Sequence, residues 1–277
     1  RGQMPRGGRM IASDDVVPVL DALAENKAIK GVVLAVNSPG GSALASDLIA
    51  RSVGAIVRHK PVVAAMGNVA ASGGYYISAP ATEVWAHPAT ITGSIGVVGG
   101  KVVLGAALAR LGVQTTWMGP APDPGMMGTE ARFTDDQRRR FRASLRRIYA
   151  RFLRVVAQGR NLPEASVEPL AQGRVWTGDQ AANNGLVDTL GTAHEAVDRV
   201  AVLAGLQPKR CRSVPVRFKP PKFGAFSQFI GGQSAGILRS ALGGEDLLLR
   251  VLYSSPCEPL ALVPVELDSG AWSGWSP

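Results

Sequence analysis

A single serine, Ser72, lies among small residues at the boundary between a hydrophobic run and a segment that can begin a helix. Residues 61–66 (PVVAAM) predict a strand, and residues 73–78 (GGYYIS) follow the serine directly. A serine at such a junction projects its hydroxyl from a helix N-terminus, where backbone N–H groups favour negative charge. An acyl-transfer nucleophile needs that setting. Because Ala-Ser-Gly-Gly is also ordinary loop composition, the interpretation of Ser72 as a nucleophile depends on its surroundings.

A second glycine-rich turn lies upstream of this serine. Residues 31–36 (GVVLAV) form an apolar run typical of a buried parallel strand, and Gly40 and Gly41 follow it within NSPGGS (37–42). Two glycines let the backbone turn sharply and approach a ligand closely. N–H groups of this turn and of Gly73 could hold a transition-state oxyanion, each contributing about 3–4 kcal/mol. Because ligands of parallel sheets bind beyond the carboxyl ends of strands, we expect the turn and Ser72 to meet at one site.

A serine hydroxyl is a weak nucleophile until a neighbouring base accepts its proton. The sequence offers three histidines for that role, His59, His87 and His194. His87 is the best placed of them for a Ser-His-Asp arrangement, because it follows Ser72 at a modest distance along the chain. Its flanking residues carry no further signal, and we interpret all three as surface histidines.

The elements that must position these residues are predicted from hydrophobic periodicity and capping signals. Strands are predicted at 31–36, 61–66, 83–86 and 91–98. Helices are predicted at 14–26, 45–59, 73–78, 102–111, 134–158, 163–171, 180–184 and 192–203. We expect residues 1–13 to be irregular, residues 14–205 to form one α/β domain, and residues 206–277 to be a Pro/Gly-rich extension.

Several motifs in this order resemble one family. NSPGGS (37–42), AASGGYYIS (70–78), TGSIG (92–96), GRVWTG (173–178) and ANNGLVD (182–188) are similar to the signal peptide peptidase A (protease IV) family of serine–lysine peptidases. The resemblance covers roughly residues 14–205. It implies a Clp protease/crotonase-like spiral of β-β-α units, with Ser72 as nucleophile and Gly41 and Gly73 as oxyanion donors. It also implies substrate contacts at Gly40 and a role for Ser94 beside the base.

The resemblance fails at the general base. Short members of the family carry a lysine in a Gly-x-x-Lys loop, but the matching stretch here, residues 117–125 (WMGPAPDPG), contains none. Lys101 is the nearest remaining candidate, and it would have to be neutral to act. Long members contain two copies of the fold, with the serine in the C-terminal copy and the lysine in the N-terminal copy. We therefore expect the lysine to come from an N-terminal half or a neighbouring subunit of an oligomer.

Composition limits the partners. The net charge of +9 favours anionic partners such as membrane surfaces, although solubility alone also explains it. Ten arginines within residues 130–160 alternate with apolar residues and predict a solvated helix face, without a pattern that favours nucleic acid. No cluster has metal-site spacing, and we predict neither a metal nor a cofactor. Cys211 and Cys257 could pair in an oxidising compartment.

The resemblance implies a serine endopeptidase of the bacterial cell envelope, associated with the inner membrane. It would degrade cleaved signal peptides or other short hydrophobic peptides. The sequence has neither an 18-residue apolar run nor a signal peptide, so we expect any anchor to lie outside this chain. Two alternatives stay open. A catalytically inactive scaffold subunit would explain the missing lysine, and a crotonase-type acyl-CoA enzyme would use the same oxyanion glycines but lacks an obvious carboxylate pair here.

Overall fold

The computed structural model describes residues 11–119 and 125–216, which fall into two units. The first unit comprises residues 11–98 and 144–216, and the second comprises residues 99–119 and 125–143. Most of the predicted N-terminal segment and of the predicted 206–277 extension lies outside the described residues.

A six-stranded sheet forms the centre of the first unit. Its strands are β1 (Val32–Ser38), β2 (Val62–Ala71), β3 (Glu83–Ala86), β4 (Ile91–Gly93), β5 (Val175–Thr177) and β6 (Thr189–Leu190). The order is β5-β4-β2-β3-β6, with β1 paired to β2 outside this path. All pairs are parallel except β4 with β5.

Strand β2 has ten residues and curls the sheet. Strand β1 follows one of its edges, from the Val32–Val62 pair to the Ser38–Ala70 pair. The other edge is shared, because β3 pairs with residues 63–65 and β4 pairs with residues 69–71. Two short strands in succession along one long strand give the winding expected for a spiral of β-β-α units.

Helices cover both faces of the sheet. The helices in the described residues are α1 (Ser13–Glu25), α2 (Ala43–Val57), α3 (Gly73–Ser78), α4 (Gly105–Arg110), α5 (Asp135–Gly159), α6 (Glu164–Val167), α7 (Gly178–Asn183) and α8 (Ala193–Leu203), of which α4 and the beginning of α5 belong to the second unit. Val62, Ala64 and Met66 pack in the main core with residues of α2, α3 and α5. Val63 and Ala65 point the other way and pack against α8. Burial on both faces explains why residues 62–66 of this strand form an uninterrupted apolar run.

Two predicted strand ends were wrong. The strand predicted over 91–98 ends at Gly93, because Gly93 (φ +76°) and Ser94 (φ +49°) turn the chain out of the extended conformation. The strand predicted over 61–66 continues to Ala71. The Asn37 side-chain oxygen accepts the Val69 N–H at 3.1 Å, beside a register shift between β1 and β2, and so satisfies the backbone there.

The second unit contains α4 and the beginning of α5. The helix predicted to begin at Thr134 has a capping box there, formed by reciprocal bonds between Thr134 and Gln137 at 2.9 and 3.2 Å. Helix α4 is shorter than predicted and has no buried residue among those described. The Lys101 ammonium lies 4.4 Å from the centroid of the Phe133 ring, which stacks on Phe141.

Candidate active site

Three neighbouring strands end at the same edge of the sheet. Ser38 pairs with Ala70, and Ala71 pairs with Gly93, so the carboxyl ends of β1, β2 and β4 are in register. The glycine turn, Ser72 and Ser94 are the residues that directly follow these strands. The structure therefore brings together the site elements that the sequence predicted.

The glycine turn approaches Ser72 so closely that a side chain would not fit. A Cβ atom added to Gly40 would lie 2.8 Å from both the Ser72 Cβ and the Gly73 backbone nitrogen. A Cβ atom added to Gly73 would lie 3.1 Å from the Gly41 nitrogen and 2.5 Å from the Ser46 Oγ. Gly40 also has φ +110°, which L-residues rarely adopt. The backbone nitrogens of Gly41 and Gly73 thus lie close together with no side chain between them.

Ser72 has a strained backbone and an unengaged hydroxyl. Its φ of +50° and ψ of −116° are unusual for a residue with a side chain, and such conformations cost about 1–3 kcal/mol. Ser72 occupies the N-cap position of α3, yet its side chain makes no capping bond. The other N-cap hydroxyls at Ser42, Thr177 and Thr192 all accept a backbone N–H. Among the described residues, none forms a hydrogen bond with the Ser72 hydroxyl, which leaves it available for chemistry.

Helix α3 is only six residues long and depends on tertiary contacts for its position. The Tyr75 hydroxyl donates to the Leu186 carbonyl at 2.8 Å, and burial raises the pKa of Tyr75 far above its ordinary value. Beyond the last turn, the Arg160 guanidinium donates to the carbonyls of Ala79 at 3.2 Å and Ala81 at 2.6 Å. These contacts resist the relaxation that strain at the start of the helix would otherwise produce.

Hydrogen bonds with nearby serine side chains stabilise the glycine turn. The Ser38 hydroxyl, which is 1% exposed, accepts the Gly40 N–H at 3.0 Å. The Ser42 hydroxyl caps α2 by accepting the Ala45 N–H at 3.3 Å, and Ser46 donates back to the Ser42 carbonyl at 3.0 Å. Ser38 was not among the site residues predicted from the sequence. Its signal was a serine two residues before the glycine, a spacing at which the hydroxyl bonds its own backbone.

Ser94 lies beside Ser72. It follows Gly93 as Ser72 follows Ala71, and neighbouring strands are about 4.8 Å apart. Like Ser72 it has a positive φ, of +49°. Its N–H donates to the Arg174 carbonyl at 2.7 Å. No described residue forms a hydrogen bond with the Ser94 hydroxyl, so both serine hydroxyls are available at the same edge.

The histidines do not lie at this edge. His59 precedes β2 at the end opposite Ser72, and a ten-residue strand is roughly 33 Å long. His87 directly follows β3, is exposed, and its Nδ1 accepts the Ala89 N–H at 3.2 Å. His194 lies in the first turn of α8, after β6, which is two strands from β2. The interpretation of these residues as surface histidines agrees with these positions.

None of the lysines described in the first unit is arranged as a base for Ser72, and Lys209 is an exposed residue after α8, the helix whose Val200 lies beside Gly31 at the start of β1. Lys27, Lys30 and Lys60 precede β1 and β2, at the opposite ends of those strands, and the Lys60 Nζ donates to the carbonyls of Leu23 at 2.7 Å and Asn26 at 2.8 Å. The Lys101 Nζ donates to the Met126 carbonyl at 2.8 Å and lies over an aromatic ring. The Lys101 amine is therefore engaged by a carbonyl and by an aromatic ring, and a position over a ring suits the charged ammonium, whereas a general base has to be neutral.

Neither a metal site nor a membrane span is found in the described ranges. Within residues 11–119 and 125–216, no group of three or more His, Cys, Asp or Glu side chains could hold a metal ion. No helix in the same ranges has the length and apolarity needed to cross a bilayer. Cys211 is exposed, and Cys257 lies outside the described residues, so their pairing stays a prediction.

The curled, mostly parallel sheet, with a strained serine beside a glycine turn at its carboxyl edge, is typical of a Clp protease-like fold. Comparison with known families agrees, since residues 9–91 match the Clp protease family. Residues 55–207 match peptidase family S49, and the chain belongs to that family. The predicted fold class and the predicted family are thereby confirmed, and the family is one of peptidases.

Individual relatives carry matching names. The chain is 40% identical over 202 residues to "Protease 4" of Salmonella typhi, which covers 73% of this chain and 32% of that protein. It is 35% identical over 217 residues to "Putative signal peptide peptidase SppA" of Enterococcus faecium, covering 78% and 62%. It is 34% identical over 198 residues to "Serine protease SPPA, chloroplastic" of Arabidopsis thaliana, covering 71% and 29%. The chain therefore spans about a third of the longer relatives.

Proposed function

We propose that this chain carries the nucleophile and the oxyanion hole of a serine endopeptidase. Ser72 attacks the scissile carbonyl, and the N–H groups of Gly41 and Gly73 hold the oxyanion that forms. The observation that supports this most directly is the pairing of an unengaged hydroxyl on a strained residue with a glycine turn packed against it. Each donor would contribute about 3–4 kcal/mol in the transition state.

The proposed base is a lysine supplied by an N-terminal half or by a neighbouring subunit. The position of Lys60 at the opposite end of β2 from Ser72, and the carbonyl and ring contacts of Lys101, support an outside source. The lengths of the relatives also support it, since this chain covers only 32% of the Salmonella protein and leaves room for a second copy of the fold. Ser94, next to Ser72, would orient that lysine or relay its proton.

The proposed substrates are peptides in an extended conformation, bound as an added strand near the Gly40–Gly41 turn. Cleaved signal peptides and other short hydrophobic peptides fit this mode, and the name of the Enterococcus relative is that of a signal peptide peptidase. We propose that the protein acts at the bacterial inner membrane as an oligomer. Its net charge of +9 would favour contact with an anionic membrane surface.

One other function has a specific observation in its favour. An inactive subunit that assembles with an active partner would explain why no described lysine is prepared as a base for Ser72. This scaffold would have no need to keep the Ser72 hydroxyl unengaged, and we therefore place it second. Membership in a peptidase family argues against the crotonase-type alternative.

A fluorophosphonate probe tests the proposal, because it reacts only with an activated serine. We expect labelling of Ser72 in the complete gene product, no labelling of the 277-residue chain alone, and restored labelling when the lysine-bearing part is added. Ser72→Ala should abolish labelling, whereas Ser166→Ala, on the exposed surface of α6, should not change it. Complete gene product that is folded but stays unlabelled would refute the peptidase proposal and favour the scaffold.

A further inference from the structure

A buried tyrosine links the start of helix α3 to a carboxylate on another helix. The Tyr76 N–H donates to the Ser72 carbonyl at 2.8 Å, so the two residues are one helical turn apart on the same face. The Tyr76 side chain is 3% exposed, and its ring packs 4.6 Å from that of Phe152. Its hydroxyl reaches Asp47 on α2 and donates to Oδ1 at 2.7 Å.

The Asp47 carboxylate connects three helices. Its Oδ1 also accepts the Nε–H of Arg151 on α5 at 3.0 Å, and its Oδ2 accepts the Nε–H of Arg51 at 2.7 Å. Burial alone would raise the pKa of Asp47, but the Tyr76 hydroxyl and the two guanidiniums outweigh burial and lower it. Asp47 is therefore a carboxylate at neutral pH and a strong acceptor for the tyrosine.

The members of this network differ in exposure. The Asp47 side chain is 16% exposed, whereas those of Arg51 and Arg151 are 65% and 41% exposed. Asp47 and the two arginines line a groove of about 380 Å³ between α2 and α5, where water competes for the arginine charges. Tyr76 does not line this groove and is buried, so its bond to the mostly buried Asp47 is the part of the network that can hold α3 in a fixed rotation.

We propose that Asp47 is a positioning residue for Ser72. By holding the Tyr76 hydroxyl, it fixes the rotation of α3 about its axis and with it the directions of the Ser72 hydroxyl and the Gly73 N–H. The strained φ at Ser72 would relax if this short helix could turn, and Tyr76 is the anchor on the serine's own face. The catalytic consequence rests on the proposed function, but the effect on α3 does not.

Three variants separate positioning from a general structural role. Tyr76→Phe removes the donor of the bond, and Asp47→Asn removes the charge and leaves only a weaker amide oxygen as acceptor, both with little change of shape. Asp136→Asn is the matched control, because that carboxylate also binds two arginines, at 3.0 and 2.6 Å, but is 55% exposed and holds no tyrosine. Amide hydrogen exchange of the segment 71–79 in the 277-residue chain reads the position of α3 without any need for activity.

We expect Asp47→Asn and Tyr76→Phe to speed exchange of the Tyr76 amide at least tenfold. Exchange of the α8 amides should change less than twofold in both variants, and exchange of the Tyr76 amide should change less than twofold in Asp136→Asn. In the complete gene product, the same two variants should lower kcat and fluorophosphonate labelling at least tenfold with KM within twofold, and Asp47→Glu should recover part of the rate. Exchange in 71–79 that stays within twofold of the unmodified chain, or that rises equally in all helices, would overturn the positioning role. Unmodified gene product that never reacts would refute the proposed function, while the exchange experiment would still decide this inference.

Discussion

Replacing Gly40 by alanine tests the close approach on which the proposed oxyanion hole depends. The new Cβ atom would lie 2.8 Å from the Gly73 backbone nitrogen and from the Ser72 Cβ, and neither belongs to a flexible side chain that could move aside. Overpacking of this kind costs about 1–3 kcal/mol. An L-residue held at φ +110° costs about 1–3 kcal/mol more, so Gly40→Ala should lose about 2–6 kcal/mol of unfolding free energy.

Alanine substitutions at two other glycines separate the contribution of overpacking from that of backbone strain. Gly205 has φ +73° but nothing within 4 Å of an added Cβ, so Gly205→Ala should cost only the conformational part, about 1–2 kcal/mol. Gly54 lies inside α2 with an ordinary φ and open space, so Gly54→Ala should stabilise the chain by about 0.5–1 kcal/mol. Urea unfolding with a constant slope gives the three values on one scale.

The ranking of the three variants by unfolding free energy tests whether the Gly40–Gly41 turn packs closely against Ser72. If Gly40→Ala loses no more unfolding free energy than Gly205→Ala, the turn does not pack on Ser72. The proposed oxyanion hole would then be refuted as well. Where the variant stays folded, we also expect fluorophosphonate labelling of the complete gene product to fall about 10²-fold, because one donor is displaced. Labelling at the unmodified rate would exclude the Gly40–Gly41 turn from the site.

Three further outcomes follow from the site and its supports. Ser72→Gly should raise the unfolding free energy by about 1 kcal/mol, because glycine adopts φ +50° without strain, while labelling is lost; unchanged or lower stability would contradict the strain. Tyr75→Phe should cost about 1–3 kcal/mol in urea unfolding, because the buried Leu186 carbonyl loses its donor; a neutral result would show that water replaces it. The hydrogen bonds from Arg199 lower the pKa of Glu83, so this pair stabilises the fold above about pH 4.3, and the contribution is lost as the pH falls through the lower folded-state pKa. The thermal unfolding temperature should therefore change less between pH 7 and pH 3 in Glu83→Gln than in the unmodified chain. An equal change in both would mean that Glu83 does not contribute to acid destabilisation.

The site was predictable from the sequence to the extent that it is local. Ser72 and the Gly40–Gly41 turn each follow an apolar strand, and the rule that parallel strands present ligands at their carboxyl ends was enough to bring them together. The strand at 83–86 and the capping box at Thr192 were also predicted as the structure has them, because short-range patterns specify both. Elements of this kind can be predicted without knowing which distant residues they contact.

What the sequence did not predict depends on distant contacts. Strand β5 has three residues and strand β6 has two, too few for a periodic pattern, and each exists because a distant strand offers its edge. The Tyr76–Asp47 bond joins residues 29 positions apart on different helices, which no local spacing indicates. The early end of β4 was also not predicted. The predicted strand required an extended backbone after Gly93, whereas Ser94 has φ +49°.

The backbone strain at the site argues that its side chains are there for chemistry. Among the described residues, Ser72, Ser94, Asn161 and Gln172 have positive φ without being glycine. Two of these four are the serines that directly follow the paired ends of β2 and β4. Glycine would adopt the same φ at lower cost, so the fold alone does not call for a hydroxyl at either place. Strain of about 1–3 kcal/mol at each serine persists only when the surroundings hold it, and Tyr75, Tyr76 and Arg160 hold α3 in that way. Adjacent strained serines on a fixed frame are therefore better explained by the need for two hydroxyls at one edge of the sheet than by the stability of the sheet.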